Sequence, residues 1–367
     1  MGLAILGMGT AVPATQLEQS KAEAVAHAVC CRNEVQKQIL SVLYRQSGII
    51  HRHVVFSPEI VRDVLEGKRS SESPFLPDGV SEDGPTTRQR MSQYATDALP
   101  LAERAARQAL DASGLDGDAI THLVTVSCTG FQAPGVDVGL IQRLGLSSEV
   151  QRTHVGFMGC HGALNALRTA RAFAAEDPAA RVMVCAVELC SLHYYYRWNP
   201  KKLVSNAIFA DGAAALVGAC AAPGGRGQWV CRASGSQLFP DSAGAMTWDI
   251  GDHGFDMTLS TRVPNLIAAN LRSFLNRWLS RLGLNIEEVA SWAIHPGGPR
   301  ILTDIEKALG ISARATEVSR EVLSEFGNMS SPTVLFVVDR LRKRHAPRPC
   351  VAIGFGPGLV VETALFE

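Results

Sequence analysis

Short apolar runs rich in β-branched residues alternate with longer helical patterns along most of this chain, and that alternation confines it to a layered α/β fold. The runs predict strands at Leu3–Gly7, Leu123–Ser127, Val182–Val187, Ala213–Ala219, Ser291–Ile294, Cys350–Gly354 and Val360–Leu365. Between them, helical spacing is expected over Ala95–Ala112, His161–Ala174, Pro264–Leu282, Pro299–Leu309 and Thr333–Arg344. The charged stretch Leu65–Thr87, rich in Ser, Pro, Asp and Gly, breaks the pattern and reads as a surface excursion or lid-side loop. With 367 residues, 46% of them hydrophobic, the chain can bury a large core as two or three domains or as two fused halves sharing one core. An internal echo favours halves. SNAIFADGAAALVGAC and PCVAIGFGPGLVVETAL each pair an apolar run, a glycine-containing turn and a second apolar run.

Charge and cysteine usage narrow the function classes. Lysine plus arginine (35) balances aspartate plus glutamate (35), so no global field favours nucleic acid or an anionic membrane, and an anionic ligand needs a local patch. Nine cysteines without metal-type spacing, several in apolar runs such as VMVCAVELC, read as reduced thiols of a cytoplasmic protein. MGLAILGMGTAVPA lacks a basic leader and meets glycine early, which predicts a first strand rather than a signal peptide. No run reaches the roughly 18 apolar residues of a membrane helix, so no integral membrane association is expected.

Three polar residues stand at strand-to-helix junctions, where α/β folds build their sites. Cys160, in HVGFMGCHGALNALRTARAF, sits where an apolar run meets a Gly-Cys turn and then a helix. The helix dipole there favours thiolate, and Gly159, Gly162 and Ala163 leave room for a substrate. The bland alternative is an inert core thiol. Neighbouring His161 points about 100° away on a helix and is not expected to serve as its base. His295 closes SWAIH before a Pro-Gly-Gly-Pro turn, and Asn328 precedes a helix expected to start with Ser331 as cap and Pro332 in its first turn. Locally, each could be purely structural. GMGTAV lacks the third glycine of a dinucleotide fingerprint, and GFGPG lacks the Lys-Ser/Thr of a phosphate loop, so the latter reads as a tight turn against which a ligand could lie.

With these residues in view, the chain resembles the type III polyketide synthases, the chalcone synthase-like branch of the thiolase superfamily. The motifs are the Gly159-Cys160 turn, FADGAAAL at 209–216, IHPGGP at 294–299, GNMSSPT at 327–333 and GFGPGLVVET at 354–363. The resemblance implies a thiolase-like five-layered αβαβα fold with an N-terminal half (1–220) carrying Cys160 and a C-terminal half (221–367) carrying His295 and Asn328. It also implies a homodimer of a bacterial type, acting on an acyl-CoA starter and malonyl-CoA without metal or other cofactor. Cys160 then matches the acyl-holding nucleophile, and His295 and Asn328 match the residues that assist it through a thiolate–imidazolium pair and stabilise the enolate left by malonyl decarboxylation. Cyclisation to a pyrone, resorcinol or related ring would follow. A carrier-protein-dependent ketoacyl synthase III-like enzyme, which shares the Cys-His-Asn set, is the alternative.

The same matching places Phe209 between the CoA tunnel and the cavity, with a plain core aromatic as the alternative, and puts Met257 at a second gating position where a flexible thioether replaces a ring. Cys128, His193, Trp248 and Ser330 fall on cavity-lining positions. HYYYRWNPKK at 193–202 departs from the plant form and would line a tunnel mouth, meet a partner or form a solvated loop. Arg45, Arg52 and Arg300, with His51 and His53, are the candidates for CoA phosphates.

Overall fold

A computed structural model describes residues 1–77, 83–221 and 228–367. Nine strands form one continuous sheet in the order Ser291–Ile294, Cys350–Gly356, Val360–Phe366, Val230–Leu238, Gly2–Ala11, Asp211–Ala221, Arg181–Leu189, His122–Ser127 and Gln151–Gly156. The sheet is joined at its middle by only two residue pairs, Leu3 with Cys231 and Ala4 with Val230. This narrow seam divides it into two groups of strands.

Alternation along the strands explains the layers, because successive side chains face opposite ways. Val124, Val126, Val182, Val184, Ala214 and Leu216 of one group face the helices Gly162–Glu176 and Thr333–Lys343, as do Ala352, Ala364 and Phe366 of the other. These two helices are buried continuously over their first turns, 162–167 and 333–339, and form the middle layer. The opposite faces differ. Leu123, Met183, Cys185 and Val217 pack on Thr87–Ser113 and Val136–Leu144, whereas Trp292, Ile294, Val351, Ile353 and Val361 pack on Val263–Ser280 and Pro299–Leu309. Helix, sheet, helix, sheet, helix is the five-layered arrangement expected. Each fully buried aliphatic in it contributes about 1.5–3 kcal/mol of transfer free energy.

All seven expected strands and all five expected helices exist, and Ser291–Ile294 and Pro299–Leu309 match to the residue. The Leu65–Thr87 reading needs correction. Leu65 and Glu66 end the helix Pro58–Glu66, Thr87 opens the next helix, and Phe75 and Leu76 between them are buried; positions 78–82 of that stretch lie outside the described residues. The cap assignment also changes. The helix begins at Thr333 with Pro332 in the cap position, and the Ser331 hydroxyl donates to Glu188 instead, at 2.6 Å.

Candidate active site

Cys160 lies in a single 3-10 turn, Gly159–His161, between the edge strand Gln151–Gly156 and the helix Gly162–Glu176. The turn demands glycine: Gly159 has φ +74°, and a Cβ there would stand 2.5 Å from the Pro357 ring. Phe157, two residues earlier, is held at φ +60°, a costly value for an aromatic residue and a sign of a tightly determined turn. His161 points away as expected. Its Nδ1 pairs with Asn165 at 2.8 Å, and its ring fills the space left by Gly354 and Gly356.

The strand Ser291–Ile294 ends at His295, whose backbone N–H is fixed by the Ile353 carbonyl at 2.8 Å. Asn328 is threaded beside Phe209 in an isolated parallel bridge, its N–H donating to Ile208 and its carbonyl accepting from Ala210, both at 2.9 Å. Its side-chain Oδ1 accepts the Ser330 N–H at 2.8 Å. Asn328 lines the same pocket as Cys160, and the Ser330 hydroxyl lies 3.6 Å from the Cys160 sulfur.

These residues meet in one pocket with two lobes, each spanning about 420 Å³ of space that includes open solvent. Cys160, Met246 and Met257 belong to both. His295, Asn328, Phe355 and Ile267 line one lobe, and Cys128, Phe209, Trp248, Ser330 and Pro357 line the other. Trp248 and Met257 are nine positions apart in sequence yet directly paired across the hairpin of Met246–Gly251 and Gly254–Leu259. The indole N–H donates to the Cys128 carbonyl at 2.8 Å, and the Cys128 sulfur accepts the Gly159 N–H at 3.0 Å. His193 does not line either lobe. Its Nε2 donates to the Thr129 carbonyl at 2.7 Å, its Nδ1 accepts the Phe255 N–H at 2.9 Å, and it stacks on Phe255, so it forms a wall behind Trp248.

Burial sets the electrostatics. Both ring nitrogens of His295 are buried without a protein partner, and burial first, then the neighbouring His161, pushes its pKa down to about 3. Burial lifts the Cys160 thiol to about 11, against the lowering pull of the Ser330 hydroxyl and the Asn328 amide. Both shifts favour the uncharged forms, thiol and neutral imidazole, over the thiolate–imidazolium pair that the resemblance implies, and a neutral imidazole can accept the thiol proton.

Met246, Ile267, Phe355 and Pro357 were not anticipated in the pocket, nor was a buried carboxylate beside it. Glu188, fully buried, accepts hydrogen bonds from the Cys128 N–H and the Thr129 and Ser331 hydroxyls at 2.6–2.9 Å. It ties the Cys128 loop to the segment bearing Asn328 and Ser330, and burial raises its pKa to about 6. A lone glutamate inside the apolar run VMVCAVELC was the available signal.

Among the expected phosphate partners, Arg52 requires correction. It is 3% exposed, and its five N–H donors go to Gln19 and to the carbonyls of Asn206, Ala207 and Phe209. Period-two alternation in His51–Val54 turns Arg52 and Val54 inward and His51 and His53 the other way. Arg45 is exposed at the end of its helix, and Arg300 is 81% exposed, 3.9 Å from Asp304. In the 193–202 stretch, the Tyr194 hydroxyl meets that of Tyr44 and Tyr196 bonds the Phe75 carbonyl. These tyrosines are packed inward rather than spread over a solvated loop.

A cysteine on a turn between strand and helix, with an unpaired imidazole and a carboxamide in the same apolar pocket, is an arrangement chemically able to form a thioester and transfer an acyl group. Comparison with known proteins makes this specific. Residues 2–221 match the N-terminal domain of the chalcone and stilbene synthases, and residues 231–367 match their C-terminal domain; the chain belongs to this family. It is 32% identical to an alpha-pyrone synthesis polyketide synthase-like protein of Mycobacterium tuberculosis, over 99% of this chain and 90% of that one. It is 30% identical to a 1,3,6,8-tetrahydroxynaphthalene synthase of Streptomyces peucetius, over 100% and 93%. The crystal structure of PKS-I from the brown alga Ectocarpus siliculosus superposes with a TM-score of 0.91 at 34% identity, covering 100% of this chain and 98% of that one. The chain is a type III polyketide synthase, an acyl-transferring enzyme that uses CoA thioesters.

Proposed function

We propose that Cys160 carries the growing acyl chain and that His295 and Asn328 serve both its loading and its extension. The observation that carries this reading is the buried, unpartnered imidazole of His295 in the same pocket lobe as the Cys160 sulfur and the Asn328 amide. In loading, the Cys160 sulfur attacks the carbonyl of the starter acyl-CoA, His295 takes the thiol proton, and CoA leaves as the thiol after receiving that proton. Malonyl-CoA then binds with its thioester oxygen toward the His295 N–H and the Asn328 amide. Loss of CO2 leaves an enolate whose oxygen these two donors stabilise in a dry pocket. The enolate carbon attacks the Cys160 thioester, the C–S bond breaks, and the chain is two carbons longer on CoA. Repetition and ring closure to a pyrone, resorcinol or related product complete the sequence.

We read Phe209 and Met257 as the gate of this pocket, since both line the Cys160 lobe, and Cys128, Trp248 and Ser330 as its shape-determining walls, with His193 behind them. Arg45 and Arg300 are assigned to CoA phosphates, supported by their exposure. The chain is read as two halves meeting after residue 220, acting as a homodimer in the cytoplasm. The edge strand Gln151–Gly156, flanked by exposed Phe131 and Met158, supports the dimer, and nine free cysteines support a reducing compartment.

The test separates the roles. Cys160→Ala should abolish acyl transfer from a starter CoA, whereas Asn328→Ala should load starter yet lose malonyl-CoA decarboxylation by at least about 100-fold. Normal loading and decarboxylation in both variants would overturn the assignment.

A further inference from the structure

His161 follows the nucleophile but points away from it, toward His295. In the parallel register that pairs Ile294 with Ile353, the next residues along, His295 and Gly354, stand side by side. A Cβ on Gly354 would lie 3.1 Å from the His161 Cβ, and one on Gly356 would lie 2.5 Å from the His161 Nε2. The His161 ring therefore runs along this strand from 354 to 356. The His295 ring runs the same way along its own chain, its Nε2 4.0 Å from where a Gly297 Cβ would be. Two buried imidazoles thus lie alongside each other. Burial apart, His161 is the group among the described residues that bears on the His295 pKa.

A chain of hydrogen bonds fixes the His161 tautomer. One Glu362 oxygen accepts from Arg168 at 2.7 Å; the other accepts from Ser236 at 2.7 Å and from the Asn165 amide at 3.1 Å. A carboxylate only accepts, so the Asn165 NH2 faces Glu362 and its Oδ1 faces His161. That oxygen requires a proton on the His161 Nδ1, 2.8 Å away. Nε2 is left with its lone pair, buried and without a protein partner. Both ring nitrogens of His295 lack a protein partner as well. A protonated His161 would repel charge on His295, but burial holds its pKa below the usual histidine value and favours the neutral, accepting form.

Resting on the Cys160 assignment above, we propose that His161 is the positioning residue of His295: its Nε2 lone pair receives one His295 N–H and supports the charge that ring gains when its other nitrogen removes the Cys160 proton. As the bond from sulfur to the starter carbonyl forms and the bond to CoA breaks, His295 passes the proton to the departing CoA sulfur. In extension the ring, protonated from solvent, has one N–H for the enolate oxygen and one for His161. It returns that proton to the Cys160 sulfur when the thioester breaks.

Glu362→Gln tests the chain by reversing it. Arg168 selects the carbonyl oxygen of the new amide, so its NH2 faces Asn165; Asn165 turns over, and His161 must carry its proton on Nε2. His161→Phe keeps a ring against Gly354 and Gly356 but has no lone pair. The starter is whichever of acetyl-, hexanoyl- and benzoyl-CoA the wild type loads fastest, and stopped-flow release of CoA gives the single-turnover rate. Losing a hydrogen bond to a charged ring should cost both variants at least about tenfold in the rate at saturation, with half-saturating starter within about twofold of wild type. NMR of nitrogen-labelled histidines should find the His161 proton on Nδ1 in wild type and on Nε2 in Glu362→Gln. A wild-type proton on Nε2, or variants that load at the wild-type rate, would overturn the proposal. If no starter reaches Cys160 in wild type, the nucleophile assignment fails and this one with it.

Discussion

Arg52→Lys distinguishes a buried clamp from a phosphate contact. Lysine keeps the charge but has three donors where arginine has five, so at least two of the bonds to Gln19, Asn206, Ala207 and Phe209 are lost. Charge-assisted bonds contribute about 1.5–3 kcal/mol each, which puts the expected destabilisation at about 3–6 kcal/mol. Unfolding entropy scales as about 2.1 cal/mol/K per residue, so for a chain of this length Tm should fall by about 4–8 °C. The acceptors are the last carbonyls of the helix Pro200–Ile208 and the Phe209 carbonyl, and Phe209 is bridged to Asn328. A fall in kcat is therefore expected with little change in KM for malonyl-CoA. Thermal unfolding and steady-state kinetics on the same preparation decide the matter. An unchanged Tm with KM raised tenfold would refute the reasoning and return Arg52 to the CoA site.

Gly159→Ala should lower the rate of Cys160 acylation by about 100-fold, because the new Cβ meets Pro357 and the positive φ is lost, displacing the sulfur; stopped-flow release of CoA measures it. Asp211, fully buried and bonded to Ser191 and the Val55 N–H, has its pKa raised by burial from 3.8 to about 7. The folded state thus binds the extra proton between those values, and stability should fall by up to about 4 kcal/mol as pH rises from 4 to 7. Asp211→Asn should remove that slope, read by urea unfolding across the same range.

Much of the fold was legible because its strands are buried on both faces and its middle helices continuously over their first turns, which gives apolar runs of unmistakable period. Cys160, His295 and Asn328 were legible for a different reason: each ends or follows a strong element, where a polar residue stands out. What escaped lies on elements without such contrast. Trp248 and Met257 were placed at the pocket by resemblance alone, because they become neighbours only through a hairpin with little periodic signal. Phe75 was hidden in a charged stretch. Arg52 looked like any surface cation until strand alternation and its partners placed it inside. The resting protonation of Cys160 and His295 depends on burial, which local sequence does not report.

The most direct test of the account is to incubate the enzyme with a starter acyl-CoA alone, digest it and locate the acyl group by mass spectrometry. One acyl mass is expected on the peptide containing Cys160, absent in Cys160→Ala and formed more slowly in His295→Ala. An acyl group that persists in Cys160→Ala, or that maps to Cys128 or Cys190, would contradict the account.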